Sequence, residues 1–353
     1  MATRNISPRA MDQPRLVHGW RLSAAGNGQS YHWRDLPEIR VPLHGEPLAL
    51  DQTLACGQAF RWQRTQDGSW EGIAGHRIWR LRIADDALLA RVAPPLESAD
   101  VGAFLTHYFA LDLPAQAIQR QIAAAHPLAA QAVSRFPGLR ILRQDPYETL
   151  ITFAIATATN IPRVTRSIAL LCQRHGPLIA MVDESAYHDI PTPAAILAAP
   201  YADLFGSCNL AYRTRTLRAV AEHLALHSVA WIEHLRAVSY AEAHRALDAL
   251  PGLGPKVSDC ICLFGLGHSD AVPVDRHIWA IAHELFGAEI TTRTLTPRIY
   301  QRVGSLFRAL FGPWAGWAQQ YLFCARRAVP PRQRSHPGIR TYPASSDRSV
   351  PLP

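Results

Sequence analysis

The sequence predicts an α+β fold in which an antiparallel sheet comes first and helices follow. Three observations carry this. Apolar and polar side chains alternate through residues 59–83 around an Asp67-Gly68 turn. Near residue 98 the alternation gives way to helical spacing, which then persists. Several later helix starts are marked by capping residues. The 353 residues are long for one compact unit and comfortable for two. With 48% hydrophobic and 18% charged residues, the chain can bury a large core, which excludes wholesale disorder.

Taken in order, residues 1–30 mix Pro, Gly, Ser and Arg without periodicity and are expected to form a mobile tail. Strands are expected from about 32 to 97: Ala59-Phe60-Arg61-Trp62, Trp70-Glu71-Gly72-Ile73 and Ile78-Trp79-Arg80-Leu81-Arg82-Ile83. Arginines on one side of the alternation imply a sheet with one wet face. An antiparallel β unit with trailing helices is thus expected over 31–135 and a helical unit over 136–327. Asp145-Pro146-Tyr147-Glu148 offers a capping acid, a proline at the first helical position and a glutamate three residues on. Thr192-Pro193 repeats the cap-plus-proline signal, and Ser239-Tyr240-Ala241-Glu242 is a capping box. Residues 328–353 read as a basic Pro/Arg-rich tail, either with general affinity for phosphates or as a solubilising end; from 326 onward there are six arginines and one acid, Asp347.

No stretch approaches the roughly 20 apolar residues of a membrane span, and the N-terminus lacks the apolar run of a secretory signal. Six scattered cysteines suit a reducing compartment. None forms a C-x2-C pair with a second pair behind it, so neither structural zinc nor an iron–sulfur cluster is expected, and no metal or cofactor at all. A net charge of +8 and a pI near 9.5 point to a polyanionic partner. Lysine and arginine total 36, yet Lys256 is the single lysine. Coding bias would explain the arginines. A deprotonatable primary amine is the one function arginine cannot supply.

Lys256 sits in the most informative stretch, Leu247 to His277. A helix opened at Ser239 runs to Leu250, Pro251-Gly252-Leu253-Gly254-Pro255 turns tightly, and a second helix begins near Lys256. Gly252 and Gly254 permit close backbone approach, and the unpaired N–H groups opening the second helix make an anion site. Such a helix–hairpin–helix grips a DNA phosphate without reading sequence. The helix dipole and partial burial would lower the pKa of Lys256 toward a nucleophilic amine. Cys260 lies one turn later on the same face. Asp275 is placed to cap the next helix while keeping lone pairs for a cleft.

This stretch resembles the helix–hairpin–helix glycosylase superfamily, in particular 8-oxoguanine DNA glycosylases with AP-lyase activity. Cys56-Gly57-Gln58-Ala59-Phe60-Arg61-Trp62, Arg143-Gln144-Asp145-Pro146, Tyr212-Arg213-Thr214-Arg215 and Trp314-Ala315-Gly316-Trp317-Ala318-Gln319 support it, in family order from about 35 to 327. The resemblance implies a TBP-like antiparallel β domain followed by an all-helical glycosylase domain. It implies an enzyme that flips 8-oxoguanine out of double-stranded DNA. Lys256 matches the nucleophile that attacks C1′ and forms a Schiff base, and Asp275 the acid that supports charge on the sugar. Gly57 matches the carbonyl that accepts the N7–H of the lesion. Phe323 and Cys260 match the walls around the flipped base, Gln319 the reader of its Watson–Crick edge, and His277 a phosphate contact. Arg163, Tyr212 and Arg213 match positions around the orphaned cytosine, with Tyr212 wedged into the gap. The chain departs at Ala156-Thr157-Ala158-Thr159-Asn160-Ile161, where Ala158 stands in place of an asparagine that fills the vacated space.

The resemblance thus implies a monomeric base excision repair enzyme acting on 8-oxoguanine in duplex DNA, with no membrane attachment. Two other readings compete. A glycosylase for alkylated bases would share the fold but need no lysine after the hairpin. A non-enzymatic DNA-binding module would need neither that lysine nor the aspartate across the cleft. Alanine, arginine and proline bias hints at a GC-rich bacterial source, hence cytoplasm and nucleoid; a eukaryotic source would mean the nucleus.

Overall fold

The computed structural model describes residues 29–328 apart from Ala158, Ala288, Thr291 and Arg293. The expected tails at 1–28 and 329–353 lie outside the described residues. Five strands form an antiparallel sheet in the spatial order Ile39–Pro42, Ala87–Ala93, Arg77–Ala84, Trp70–Ala74, Trp62–Arg64. Its register follows the alternation: Trp79 faces Val92, and Leu81 sits between Trp70 and Ala90. The inward set packs on the helix Ser98–Tyr108, where the Trp79 and Phe104 rings stack at 4.8 Å.

The opposite face is wet only in part. Arg80, Arg82 and Arg91 line it and are neutralised by Asp67 and Glu38, with Arg80–Asp67 and Arg82–Glu38 both at 2.7 Å. The rest is covered by a hairpin of Leu178–Val182 and Ser185–His188, which buries Ile73 and Ile78 against Ile179 and Val182. The hairpin falls inside the stretch read as helical throughout. Ser30–Tyr31 pairs in parallel with its Met181–Val182 edge, so ordered strand begins two residues earlier than the alternation suggested.

From Ser98 onward the described chain is otherwise helical, built around one large apolar core. The caps stand where the sequence put them. Asp145 accepts from Glu148 N at 2.7 Å, Thr192 accepts from Ala195 N at 3.2 Å, and Ser239 and Glu242 form the reciprocal box. The helix Tyr240–Asp248, the turn and the helix Pro255–Phe264 form the hairpin, and Arg276–Phe286 and Ala315–Ala328 complete its surroundings. No helix among the described residues is long and apolar enough to cross a membrane.

The strand-rich and helical halves are tied by buried amides. Gln58 donates to Thr53 O and Arg140 O, both at 2.8 Å, and its Oε1 accepts from Leu142 N at 2.9 Å. Gln144 donates from Nε2 to Gln58 O at 2.6 Å, while its backbone N–H reaches Phe264 O at 2.9 Å. The loop carrying Gly57 is thereby fixed to the end of the hairpin helix.

Candidate active site

The hairpin turn needs its first glycine for conformation. Gly252 has φ +84°, and a Cβ there would stand 2.1 Å from Thr216 Oγ1. Gly254 is extended, and a Cβ there would meet open space. Its role is therefore not one of packing. It opens a helix whose first-turn N–H groups have no intrahelical partner.

Lys256, half-buried in that first turn, has its ammonium 5.8 Å from the Phe153 ring centroid. Its amine lies beside the Cys260 side chain, one turn further along the same helix. The Cys260 sulfur, followed by the Asp275 carboxylate, outweighs burial and holds the ammonium above its ordinary range. The sequence argument had expected a lowered value from burial and the helix dipole; two close partners reverse it. Burial pushes the Cys260 thiol up to about 11, against the pull of the neighbouring Lys256 ammonium.

Asp275 caps the helix Arg276–Phe286, its Oδ1 accepting from His277 N at 2.8 Å and Ile278 N at 2.9 Å. It also engages Lys256 electrostatically, so cap and charged partner coexist in one carboxylate. The His277 ring meets Phe323 edge-on at 5.8 Å, and the Arg327 guanidinium lies 5.3 Å from the centroid of the same Phe323 ring. Gln319 is one turn before Phe323 on the same helix. It is buried, and its Oε1 has no hydrogen-bond partner. A buried amide oxygen left unpaired costs stability unless something arrives to bind it. Gly57 has φ +91°; a Cβ there would stand 2.7 Å from Ile161 Cδ1 and 3.9 Å from Arg327 Nη1. Gln320 Nε2 donates to Cys56 O at 3.4 Å, joining this loop to the helix of Gln319 and Phe323. Contacts thus run from Lys256 and Cys260 through Asp275, His277 and Phe323 to Gly57.

A second cluster lies around Tyr212, which is 54% exposed with its hydroxyl on Thr157 O at 3.2 Å. Arg213 is buried beneath it. It donates to Thr157 O at 2.8 Å, and its guanidinium lies 4.5 Å from the Tyr212 ring. Arg163 is exposed and reaches Asn209 Oδ1 at 3.5 Å. Asn160 caps the helix Ile161–His175 through Arg163 N at 3.0 Å. Ala158 lies outside the described residues.

Sequence reading missed the support behind these side chains. Asp259, 1% exposed, accepts from Tyr240 OH at 2.6 Å and Tyr300 OH at 2.5 Å, and burial raises its carboxyl to about 6. Tyr300 OH also accepts from Val274 N at 3.2 Å, which joins the lysine-bearing helix to the segment before Asp275. The signal was a charged residue on the apolar helix VSDCICLF. Among the described residues one grouping, His175, Asp203 and Cys208, has metal-ligand atoms within 4.8 Å of one another. Arg174 and His175 already clasp Asp203, and burial pushes the Cys208 thiol up to about 11. It reads as an ion-pair cluster away from the site.

Residues 40–150 match the family described as 8-oxoguanine DNA glycosylase, N-terminal domain. The chain is 30% identical over 303 residues to the N-glycosylase/DNA lyase OGG1 of Arabidopsis thaliana, covering 84% of this chain and 82% of that protein. It is 26% identical over 319 residues to the N-glycosylase/DNA lyase of Saccharomyces cerevisiae, covering 80% and 85%. The 8-oxoguanine glycosylase/lyase of Clostridium acetobutylicum, solved with double-stranded DNA containing cytosine opposite 8-oxoguanine, superposes with a TM-score of 0.72 at 26% identity. That match spans 80% of this chain and 92% of that one.

Proposed function

Because the chain belongs to the 8-oxoguanine N-glycosylase/DNA lyase family, we infer that it excises 8-oxoguanine from double-stranded DNA and cleaves the strand at the abasic site. It is a bifunctional enzyme of base excision repair. The observation that carries the reading to particular residues is the placement of the only lysine. Lys256 stands in the first turn after the hairpin, beside Cys260 and the Asp275 carboxylate.

In this reading the hairpin N–H groups and the basic surface hold the backbone, and the lesion leaves the stack at a cost of a few kcal/mol. Tyr212, exposed at the surface, fills the gap, with Arg163 and Arg213 beside the orphaned cytosine. The flipped base lies between Phe323 and Cys260. Gln319 Oε1, unpaired in the free protein, gains a donor from the base, and Gly57 O accepts the N7–H that distinguishes 8-oxoguanine from guanine.

Lys256 must first give up its proton. Its lone pair then attacks C1′ as the N-glycosidic bond breaks and the base departs with the bonding electrons. Positive charge builds on the sugar, and Asp275 stabilises it. Both cap bonds fall on Oδ1, leaving Oδ2 for that task. The amine adduct opens to an imine, which permits β-elimination of the 3′ strand. The lysine disfavours an alkylated-base glycosylase working through aspartate and water, and the lysine–aspartate pair disfavours a binding-only module. The enzyme works where the DNA is, in the nucleoid of a bacterial cell or the nucleus of a eukaryotic one.

Matched duplexes carrying 8-oxoguanine, an alkylated purine or no lesion test the reading. Strand scission is expected only with 8-oxoguanine. Scission-free release of the alkylated base, or binding without any release, would instead support one of the competing readings.

A further inference from the structure

The lesion differs from guanine at two adjacent atoms: it carries a hydrogen on N7 and an oxygen on C8. Gly57 O answers the first, and nothing assigned so far answers the second. A carbonyl oxygen taken out of water needs a donor, or its desolvation counts against binding. Arg327 stands where such a donor is wanted. It is exposed on the last turn of the helix Ala315–Ala328, one turn after Phe323. Its guanidinium lies 5.3 Å from the Phe323 ring centroid, and its Nη1 lies 3.9 Å from where a Cβ on Gly57 would stand. One cation thus adjoins both a wall of the base pocket and the loop that reads N7. The neighbouring Arg326 is directed elsewhere, to Glu284 Oε1 at 2.6 Å. Attraction to the ring positions the Arg327 guanidinium through its charge, and a group with several N–H donors keeps some for a ligand.

We propose that Arg327 is a specificity-determining residue of this site, donating a hydrogen bond to the C8 oxygen of the flipped base while Gly57 O accepts from N7–H. N7 and C8 are bonded neighbours in the purine, so a donor beside the N7 acceptor is within reach of the oxygen. Guanine satisfies neither group: it would set a bare N7 lone pair against Gly57 O and a C–H against Arg327. Arginine reads the carbonyl oxygen of a purine in the major groove through the same N–H···O=C chemistry. Phosphate is the competing use of an arginine near DNA. Position favours the base, because Arg327 adjoins Gly57. His277, by contrast, stands in the first turn of the helix Arg276–Phe286, where the helix N-terminus favours a phosphate.

The inference rests on the excision reading for the identity of the base. Arg327→Met, which keeps an unbranched stem beside Phe323 without donors, is compared with the natural chain on two duplexes. One carries 8-oxoguanine and the other 8-thioguanine, whose C8 sulfur is a poor acceptor while N7–H remains. The oxo-over-thio ratio of single-turnover excision rates should fall by about tenfold in the variant, the worth of one charge-assisted hydrogen bond. The same ratio of duplex affinities, measured in a Lys256→Gln background that does not cleave, should fall alike. Cleavage at a ready-made abasic site, which has no C8 oxygen, should fall far less. An oxo-over-thio ratio unchanged by Arg327→Met overturns the proposal, whether or not the variant melts early. Uniform loss on all these duplexes, with the log–log salt slope reduced by about 0.9, would make Arg327 a phosphate contact and overturn it too. An affinity ratio that depends on Arg327 in a protein releasing neither base would uphold the proposal and count against the excision reading alone.

Discussion

Lys256 is stored as an ammonium in the free protein, so its deprotonation sets a pH dependence. Single-turnover excision at saturating duplex is expected to rise with pH on the alkaline side. Cys260→Ala removes the largest upward influence on the amine and should move that limb toward lower pH, whatever it does to the plateau. A midpoint that stays put in the variant would show that the sulfur does not hold the proton. Asp275→Asn separates cap from charge. Asparagine caps a helix as well as aspartate, so DNA affinity should persist. Excision should nonetheless fall by about two orders of magnitude, because the charge on the sugar loses its stabilising partner. Unchanged single-turnover rates would reduce Asp275 to a cap. The third residue-scale expectation concerns Ala158. A good base contact is worth roughly 1–3 kcal/mol of discrimination, and about 1.4 kcal/mol is tenfold. Lacking the asparagine, the protein should prefer cytosine over adenine opposite the lesion only weakly, and Ala158→Asn should sharpen that preference by several-fold. Excision rates with each of the four bases opposite decide it; a thousandfold rejection of adenine in the natural chain would refute it.

The elements that carry the site were legible where side chains cap them. Asp145, Thr192, Ser239 and Asp275 all announce helix starts in the sequence, and all four cap as read. The hairpin of Leu178–Val182 and Ser185–His188 gave no such notice. Its turn residues, Asp183 and Glu184, have φ of +45° and +67° without a glycine or asparagine between the strands, so the usual turn signal is missing. The Tyr300 link was equally hidden, because a tyrosine at helical spacing reads as core and its hydroxyl finds Asp259 only through tertiary packing. Tyr300→Phe should cost about 1–3 kcal/mol, since it strips a partner from both Asp259 and Val274 N. Excision should slow while DNA affinity stays, because Val274 leads directly into Asp275. Thermal melting and single-turnover rates measured together test this, and an unstable variant with a normal excision rate would confine Tyr300 to a structural role.

For the whole molecule, the excess of positive charge and the lone lysine were the most informative features of the composition, one pointing to the polyanion and the other to the chemistry done on it. What composition could not give was the storage state of the amine, because that depends on a sulfur and a carboxylate brought close by folding. Residues 329–353 add four arginines, Arg332, Arg334, Arg340 and Arg348, against Asp347. If they contact phosphates, deleting them should weaken binding to undamaged duplex and flatten its log–log salt dependence by about 2–4, at roughly 0.9 per phosphate contact. Excision at low salt should be spared, and an unchanged slope would make the tail a solubilising end. The central claim, that one amine performs the chemistry, has a direct measurement. Borohydride is added to the protein on an 8-oxoguanine duplex, and the covalent adduct is digested and mapped. The adduct should lie on Lys256 and vanish together with strand cleavage in Lys256→Gln. The only other primary amine in the chain is the N-terminus, and an adduct mapped there, with Lys256→Gln still cleaving, would contradict the account.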